Sequence, residues 1–191
     1  AIMDETTRLI QQRVDTLPAG LQARIHRVRE IAQELAPHHD VDPREAAVGA
    51  LAHDVARAMS DSELIYHCTT FGLPIGMVDR QLPVLLHGPV GAKLLRSEDA
   101  HLAESLYQAV YWHTTSHLTL DKLGKVIFLA DKLDPMKIKR YPYQPRLREL
   151  AETDLDQAIL EFLTREMISL ASNGHMVHPV MIETRNHLLS S

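Results

Sequence analysis

The chain has one cysteine, Cys68, in 191 residues, which excludes an internal disulfide and any zinc site of clustered thiolates and fits a reducing cytoplasm. Glycine is sparse at eight residues and aromatics supply only 5%; with few β-branched runs and abundant Ala, Leu, Glu and Arg, that composition favours helices over a sandwich or barrel. No apolar run, of which Val126 to Ala130 is the longest relevant one, approaches the roughly 20 residues that cross a bilayer. Asp4, Glu5 and Asp15 stand where a signal peptide would be apolar, and Met3 is a candidate natural start. The expectation is a cytoplasmic protein with no membrane partner. An excess of basic residues is also lacking: the net charge of −5 argues against a general nucleic-acid binder, so any anionic ligand must be attracted locally. There is no repeat, low-complexity tract or linker-like shift in composition. With 45% hydrophobic against 24% charged residues, global disorder is excluded, and the length suits one domain over residues 1–191 with a proper core.

What the sequence has in excess is histidine, twelve of them with no tag-like run. The apolar spacing predicts an all-α fold. Leu21, Ile25, Val28, Ile31, Ala32 and Leu35 mark a helix ending at Pro37. Asp42 before Pro43 opens a second, read through to Met59. Ser60 with Glu63 forms a capping box for a third, closed by Gly72. Shorter helices are read near 78–86 and 88–97, then a firmer one over 100–113. Thr119 is the candidate cap for an apolar helix through Lys132, and the proline-rich stretch 134–146 is read as an ordered surface loop. Two long helices follow, Asp154 to Asn173 before Gly174 and Pro179 to Leu189.

Several polar residues directly follow apolar stretches: His53 and Asp54 after Ala50-Leu51-Ala52, His87 after Leu85-Leu86, His113 after Val110-Tyr111-Trp112, and Asp131 after Phe128-Leu129-Ala130. With His26, on the helix of Ile25 and Val28, these are four imidazoles and two carboxylates from five segments, able to meet where the core faces end. Helical bundles build metal sites in this way. Any single histidine here reads more readily as a core residue bonded to a backbone carbonyl or a carboxylate. Six together are different, because burying Asp54 and Asp131 is costly unless they are paired or bound to metal, and the same apolar helices offer few Lys or Arg.

The ordered series His26, His53-Asp54, His87, His113 and Asp131 resembles the H…HD…H…H…D pattern of HD-domain phosphohydrolases. The words HDVAR at 53–57, LLHGPVGA at 85–92, HTT at 113–115, LADKLDP at 129–135 and HPVMIETRNHLL at 178–189 are similar to the YqeK-like symmetrical bis(5′-nucleosyl)-tetraphosphatases. Three positions depart from that pattern. Ala23 stands where an arginine is usual, with Arg24 two before His26; Ser116 replaces a glycine after HTT; and Asp134-Pro135-Met136-Lys137 replaces Glu-Pro-Asn-Arg. The resemblance implies a single HD-domain bundle, with motif core 20–135 and C-terminal helices over 146–190 packed on it. It also implies a dinuclear centre with Asp54 bridging: His26, His53, Asp54 and Asp131 on one divalent ion, His87, His113 and Asp54 on the other.

Mixed imidazole and carboxylate ligation suits iron, manganese, zinc or nickel, and the resemblance favours iron. It implies a hydroxide activated by two metals that cuts diadenosine tetraphosphate into two ADP. Two divalent ions against two aspartates would draw in a polyphosphate despite the acidic whole. Arg57, read one turn beyond Asp54 on the same helix, is the candidate for offsetting transition-state charge, with pairing to Asp61 as its alternative. Gly88, Thr114, Thr115 and Lys132 are candidate substrate contacts. The basic residues between 132 and 148 form either a channel wall or a solvated loop face. Other nucleotide phosphohydrolases of the superfamily, such as a nucleoside 5′-monophosphatase or related phosphodiesterase, and a metal-binding regulatory domain without turnover, remain alternatives. A homodimer is compatible with the sequence, but no heptad or long apolar patch demands one.

Overall fold

The computed structural model describes residues 4–191, so Met3 lies outside the described residues. Among them are eleven α-helices and no strand: α1 (Glu5–Asp15), α2 (Ala19–Leu35), α3 (Pro43–Ala52), α4 (Asp61–Phe71), α5 (Met77–Gln81), α6 (His87–Glu98), α7 (Glu104–Trp112), α8 (Lys122–Lys132), α9 (Gln144–Thr153), α10 (Leu155–Ser172) and α11 (Pro179–Ser190). Three-residue-per-turn segments run over Ala36–His39, Pro83–Leu86 and Pro135–Lys137.

The organising element is α8. Every residue from Val126 to Lys132 is buried, as expected of a helix enclosed on all sides, and α2, α3, α7 and α10 pack around it. Val28 and Leu35 of α2, Ala46 and Ala50 of α3, and Phe162 of α10 share one core with Ile127 and Phe128. A second cluster joins Ile10 and Val14 of α1 to Ile25, Leu51, Leu102 and Tyr107. The polar ends of α3, α7 and α8 and the start of α6 thereby meet at one place.

Local signals explain several boundaries. Ser60 accepts from the Glu63 amide while Glu63 accepts from the Ser60 amide, and Gly72 closes α4 at φ 65°. Asp42 accepts from the Arg44 amide ahead of Pro43.

Four expectations are corrected. The second expected helix ends at Ala52, not Met59: the amides of Val55 and Arg57 bond three residues back, to Ala52 and Asp54, so His53–Ala56 wind inward as buried turns. The cap of α8 is Asp121, which accepts from the Gly124 amide, whereas Thr119 bonds the His117 ring. The stretch 134–146 is largely structured and partly buried, because Gln144 donates to the carbonyls of Lys132 and Asp134 and α9 begins there. Finally, α1 was not expected; Asp4 caps it by accepting from the Thr7 amide at 2.7 Å.

Candidate metal centre

His53 caps the C-terminus of α3, His87 opens α6 and His113 caps α7. Each ring is oriented by the same local bond. Nδ1 faces the carbonyl three residues earlier, at 2.5 Å for His53 to Ala50, 2.5 Å for His87 to Val84 and 2.7 Å for His113 to Val110. A carbonyl only accepts, so each Nδ1 carries the proton and each Nε2 turns to the centre.

The Nε2 atoms converge on Asp54, which is fully buried. His87 and His113 lie 3.1 Å and 3.4 Å from Oδ1, and His53 lies 3.3 Å from Oδ2. The Nε2 atoms of His87 and His113 are themselves 2.9 Å apart. Ligand atoms of His53, Asp54 and His113 all fall within 4.8 Å of one another. Both Asp54 oxygens and His53 Nε2 are buried with no hydrogen-bond partner. Buried polar atoms are rarely left so, and convergent nitrogen and oxygen lone pairs around an orphaned carboxylate fit a divalent cation of the imidazole-binding class. The C-terminal ends of α3 and α7 add partial negative charge there.

Protonation follows the same geometry. Burial lowers His113 to about 4, which keeps its Nε2 lone pair free. Burial also opposes charge on His53, but Asp54 and Asp131 overcome it and raise the ring to about 9. Burial alone would raise Asp54; the surrounding imidazoles instead hold it well below the usual carboxylate range.

Asp131 is in a different state. Its Oδ1 accepts from Arg24 at 2.9 Å and Lys137 at 2.6 Å, and its Oδ2 accepts from Lys132 at 2.7 Å. Arg24 Nε also stands 3.3 Å from Asp54 Oδ2. This corrects the expectation that the aspartates lack cationic partners: the cations come from α2 and from the chain just after Asp131, reaching inward along their aliphatic stems. Lys132 also donates to the His113 carbonyl and lies over the Phe128 ring. Burial lowers Lys137 to about 8.

His26 is not brought into this cluster. It contacts neither aspartate among the described residues, and its Nδ1 is buried without a partner. Two positions along a helix are about 200° around it. Ile25 and Val28 are fully buried, so Arg24 and Arg27 are the α2 residues that meet the polar end, Arg27 pairing with Asp134 at 2.8 Å. Arg24 was missed as a site residue; its spacing from Arg27 along one face of α2 was the available signal.

A cleft of about 250 Å³ opens beside the cluster, lined by Arg24, Arg57, His87, His113, Thr114, Thr115, Asp131, Lys132, Lys137 and Arg140 among others. Arg57 sits on the buried turn rather than on α3, and it forms no ion pair with Asp61. Thr114 donates to the Leu85 carbonyl at 3.3 Å, and Thr115 donates to the Ser116 carbonyl at 3.1 Å. Gly88 does not face the cleft. A Cβ there would stand 2.7 Å from the Tyr111 carbonyl, so its missing side chain lets α6 approach α7 closely enough to set His87 beside His113. Of the basic stretch, Lys137 turns inward, while Arg140 and Arg148 pair with Glu166 and Glu34.

A buried His-Asp step at the end of one helix, with histidines from two more and an aspartate from a central fourth, defines an HD-domain hydrolase. The HD domain model matches residues 24–136, and the chain belongs to that family. A Clostridium acetobutylicum structure described as a "predicted HD superfamily hydrolase involved in NAD metabolism" superposes with a TM-score of 0.88 at 26% identity, covering 99% of each chain.

Within that class the relationship is narrower. The chain is 32% identical over 163 residues to the symmetrical bis(5′-nucleosyl)-tetraphosphatase of Bacillus subtilis, covering 85% of this chain and 86% of the relative. It is 31% identical over 164 residues to that of Halalkalibacterium halodurans, covering 85% of each. The chain belongs to the symmetrical bis(5′-nucleosyl)-tetraphosphatase family. Among the described residues no helix is long and apolar enough to cross a membrane.

Proposed function

We propose that this chain is a metal-dependent hydrolase that cleaves diadenosine tetraphosphate symmetrically into two ADP. The observation that carries the reading is the buried Asp54 carboxylate, without a hydrogen-bond partner and ringed by three histidine Nε2 atoms at the head of a cationic cleft. His53, Asp54, His87 and His113 would hold a divalent ion, with iron favoured and manganese, zinc or nickel as alternatives. Such an ion supplies Lewis-acid activation of water and of a phosphoryl oxygen.

The chain's own groups account for the rest. Arg24 and Arg57 present guanidinium groups to the cleft, suited to phosphate oxygens by their planar donor forks. Thr114 and Thr115 line the same wall and would reach a phosphate oxygen by turning their hydroxyl protons from the Leu85 and Ser116 carbonyls. Lys132 carries charge to the site while anchoring Asp131. The overall charge of −5 is no obstacle to a polyphosphate, because the cations are concentrated at the cleft.

A second reading, a nucleotide-binding domain without turnover, is favoured by the complete engagement of Asp131 with side-chain cations. Product analysis decides between them. Reconstituted protein is incubated with dinucleoside polyphosphates, mononucleotides and cyclic dinucleotides; ADP as the sole product of diadenosine tetraphosphate is expected. AMP plus ATP, or consumption of mononucleotides alone, would overturn the substrate, and binding without any product would select the second reading.

A further inference from the structure

We infer that the Arg24 guanidinium takes the place of a second metal ion between Asp54 and Asp131, so that this chain binds one divalent cation, at the His53, Asp54, His87 and His113 corner. The inference rests on the metal-centre reading above and departs from the two-ion centre that the family resemblance implies.

The two aspartates are in opposite states. Asp54 has no hydrogen-bond partner on either oxygen and faces imidazole nitrogens. Asp131 has both oxygens occupied, Oδ1 by Arg24 and Lys137 and Oδ2 by Lys132. The geometric cluster suited to an ion contains His53, Asp54 and His113 and leaves Asp131 out. A second ion between the carboxylates would have to displace Arg24, which reaches Asp131 at 2.9 Å and Asp54 at 3.3 Å.

Charge and ligand supply point the same way. Arg24, Lys132 and Lys137 already face the two carboxylates, and a guanidinium cannot shed its proton to make room. One divalent ion at Asp54 answers a carboxylate that has no hydrogen-bond partner on the side its imidazoles face. Another at Asp131 would sit among three ammonium or guanidinium groups, and among the described residues no α2 imidazole pairs with either carboxylate. Arg24 also lines the cleft, so the positive charge that a second ion would offer a bound polyphosphate comes from a side chain fixed on α2.

The test counts ions by a readout other than turnover. Wild-type protein and Arg24→His are equilibrated with excess Mn²⁺, then analysed for bound manganese and by electron paramagnetic resonance. Wild type should hold about one ion per chain with the spectrum of an isolated ion, while Arg24→His, which removes the guanidinium from between the two carboxylates and supplies a neutral nitrogen, should rise about twofold and give a spin-coupled pair. Two coupled ions in wild type overturn the inference and leave the metal-centre reading intact. No bound ion at all defeats both. A folded Arg24→His that stays at one ion also overturns it; should that variant fail to fold, the wild-type spectrum decides by itself.

Discussion

His87 and His113 bring their Nε2 atoms to 2.9 Å of one another while each ring commits its Nδ1 proton to a backbone carbonyl. Two acceptor lone pairs at that distance repel unless a cation or a proton lies against them. A divalent ion should therefore stabilise the fold, by about 2.7 kcal/mol at free metal a hundredfold above its dissociation constant. Thermal melts of chelated and Mn²⁺-loaded protein are expected to differ accordingly, with the difference vanishing in His113→Ala. An unchanged melting temperature on loading would count against a metal at this corner.

The His87–His113 approach depends on a residue that touches neither ion nor substrate. Gly88→Ala would push a methyl to 2.7 Å from the Tyr111 carbonyl, a backbone atom that cannot swing aside. The expected cost is about 1–3 kcal/mol of stability, as for an overpacked core, together with weaker metal affinity as α6 and α7 separate. Gly20→Ala is the control, because a Cβ there meets nothing within 4 Å. Urea unfolding and metal titration of both variants check it: equal behaviour of the two would remove the role given to Gly88.

The sequence made legible whatever was fixed by neighbours in the chain. Ser60, Glu63 and Gly72 carry the ends of α4 in their own side chains and backbone, and His53, Asp54, His87, His113 and Asp131 stand out because each interrupts an apolar run that must be buried. What stayed hidden is set by tertiary contact. The stop at Ala52 comes from buried turns that form only against neighbouring helices, and nothing in Val55-Ala56-Arg57 announces it. The choice of Arg24 over His26 is a matter of helix phase, fixed by which face of α2 buries Ile25 and Val28. A motif expectation drew attention to the histidine, whereas the packed helix turns the arginine to the carboxylates.

Ser116 occupies a position where the family pattern has glycine, and its backbone shows why: φ is 65°, in the left-handed region. Its hydroxyl is also buried with no partner. Left-handed backbone costs an L-residue roughly 1–2 kcal/mol, and an unsatisfied hydroxyl adds to that. Ser116→Gly gives back part of the gain through a more flexible unfolded chain, so a net stabilisation of about 1 kcal/mol is expected. Chemical denaturation measures it; a destabilised variant would mean that the Ser116 side chain contributes packing worth more than the strain it causes.

Arg57 separates charge stabilisation from metal holding. It lines the cleft from the turn that carries His53 and Asp54, and its amide bonds the Asp54 carbonyl, so the backbone places its side chain relative to the centre. Truncation leaves that backbone bond and all the imidazole and carboxylate groups in place. Arg57→Ala should keep its metal while losing on the order of 10²–10³ in kcat, the effect of removing one donor to charge that develops in a transition state. Arg57→Lys, which keeps the charge but not the planar fork, should recover part of the rate. Metal content and steady-state kinetics on the same preparations make the comparison. A variant that lost metal along with activity would show Arg57 supporting the centre itself, and one with unchanged kcat would place it outside the reaction altogether.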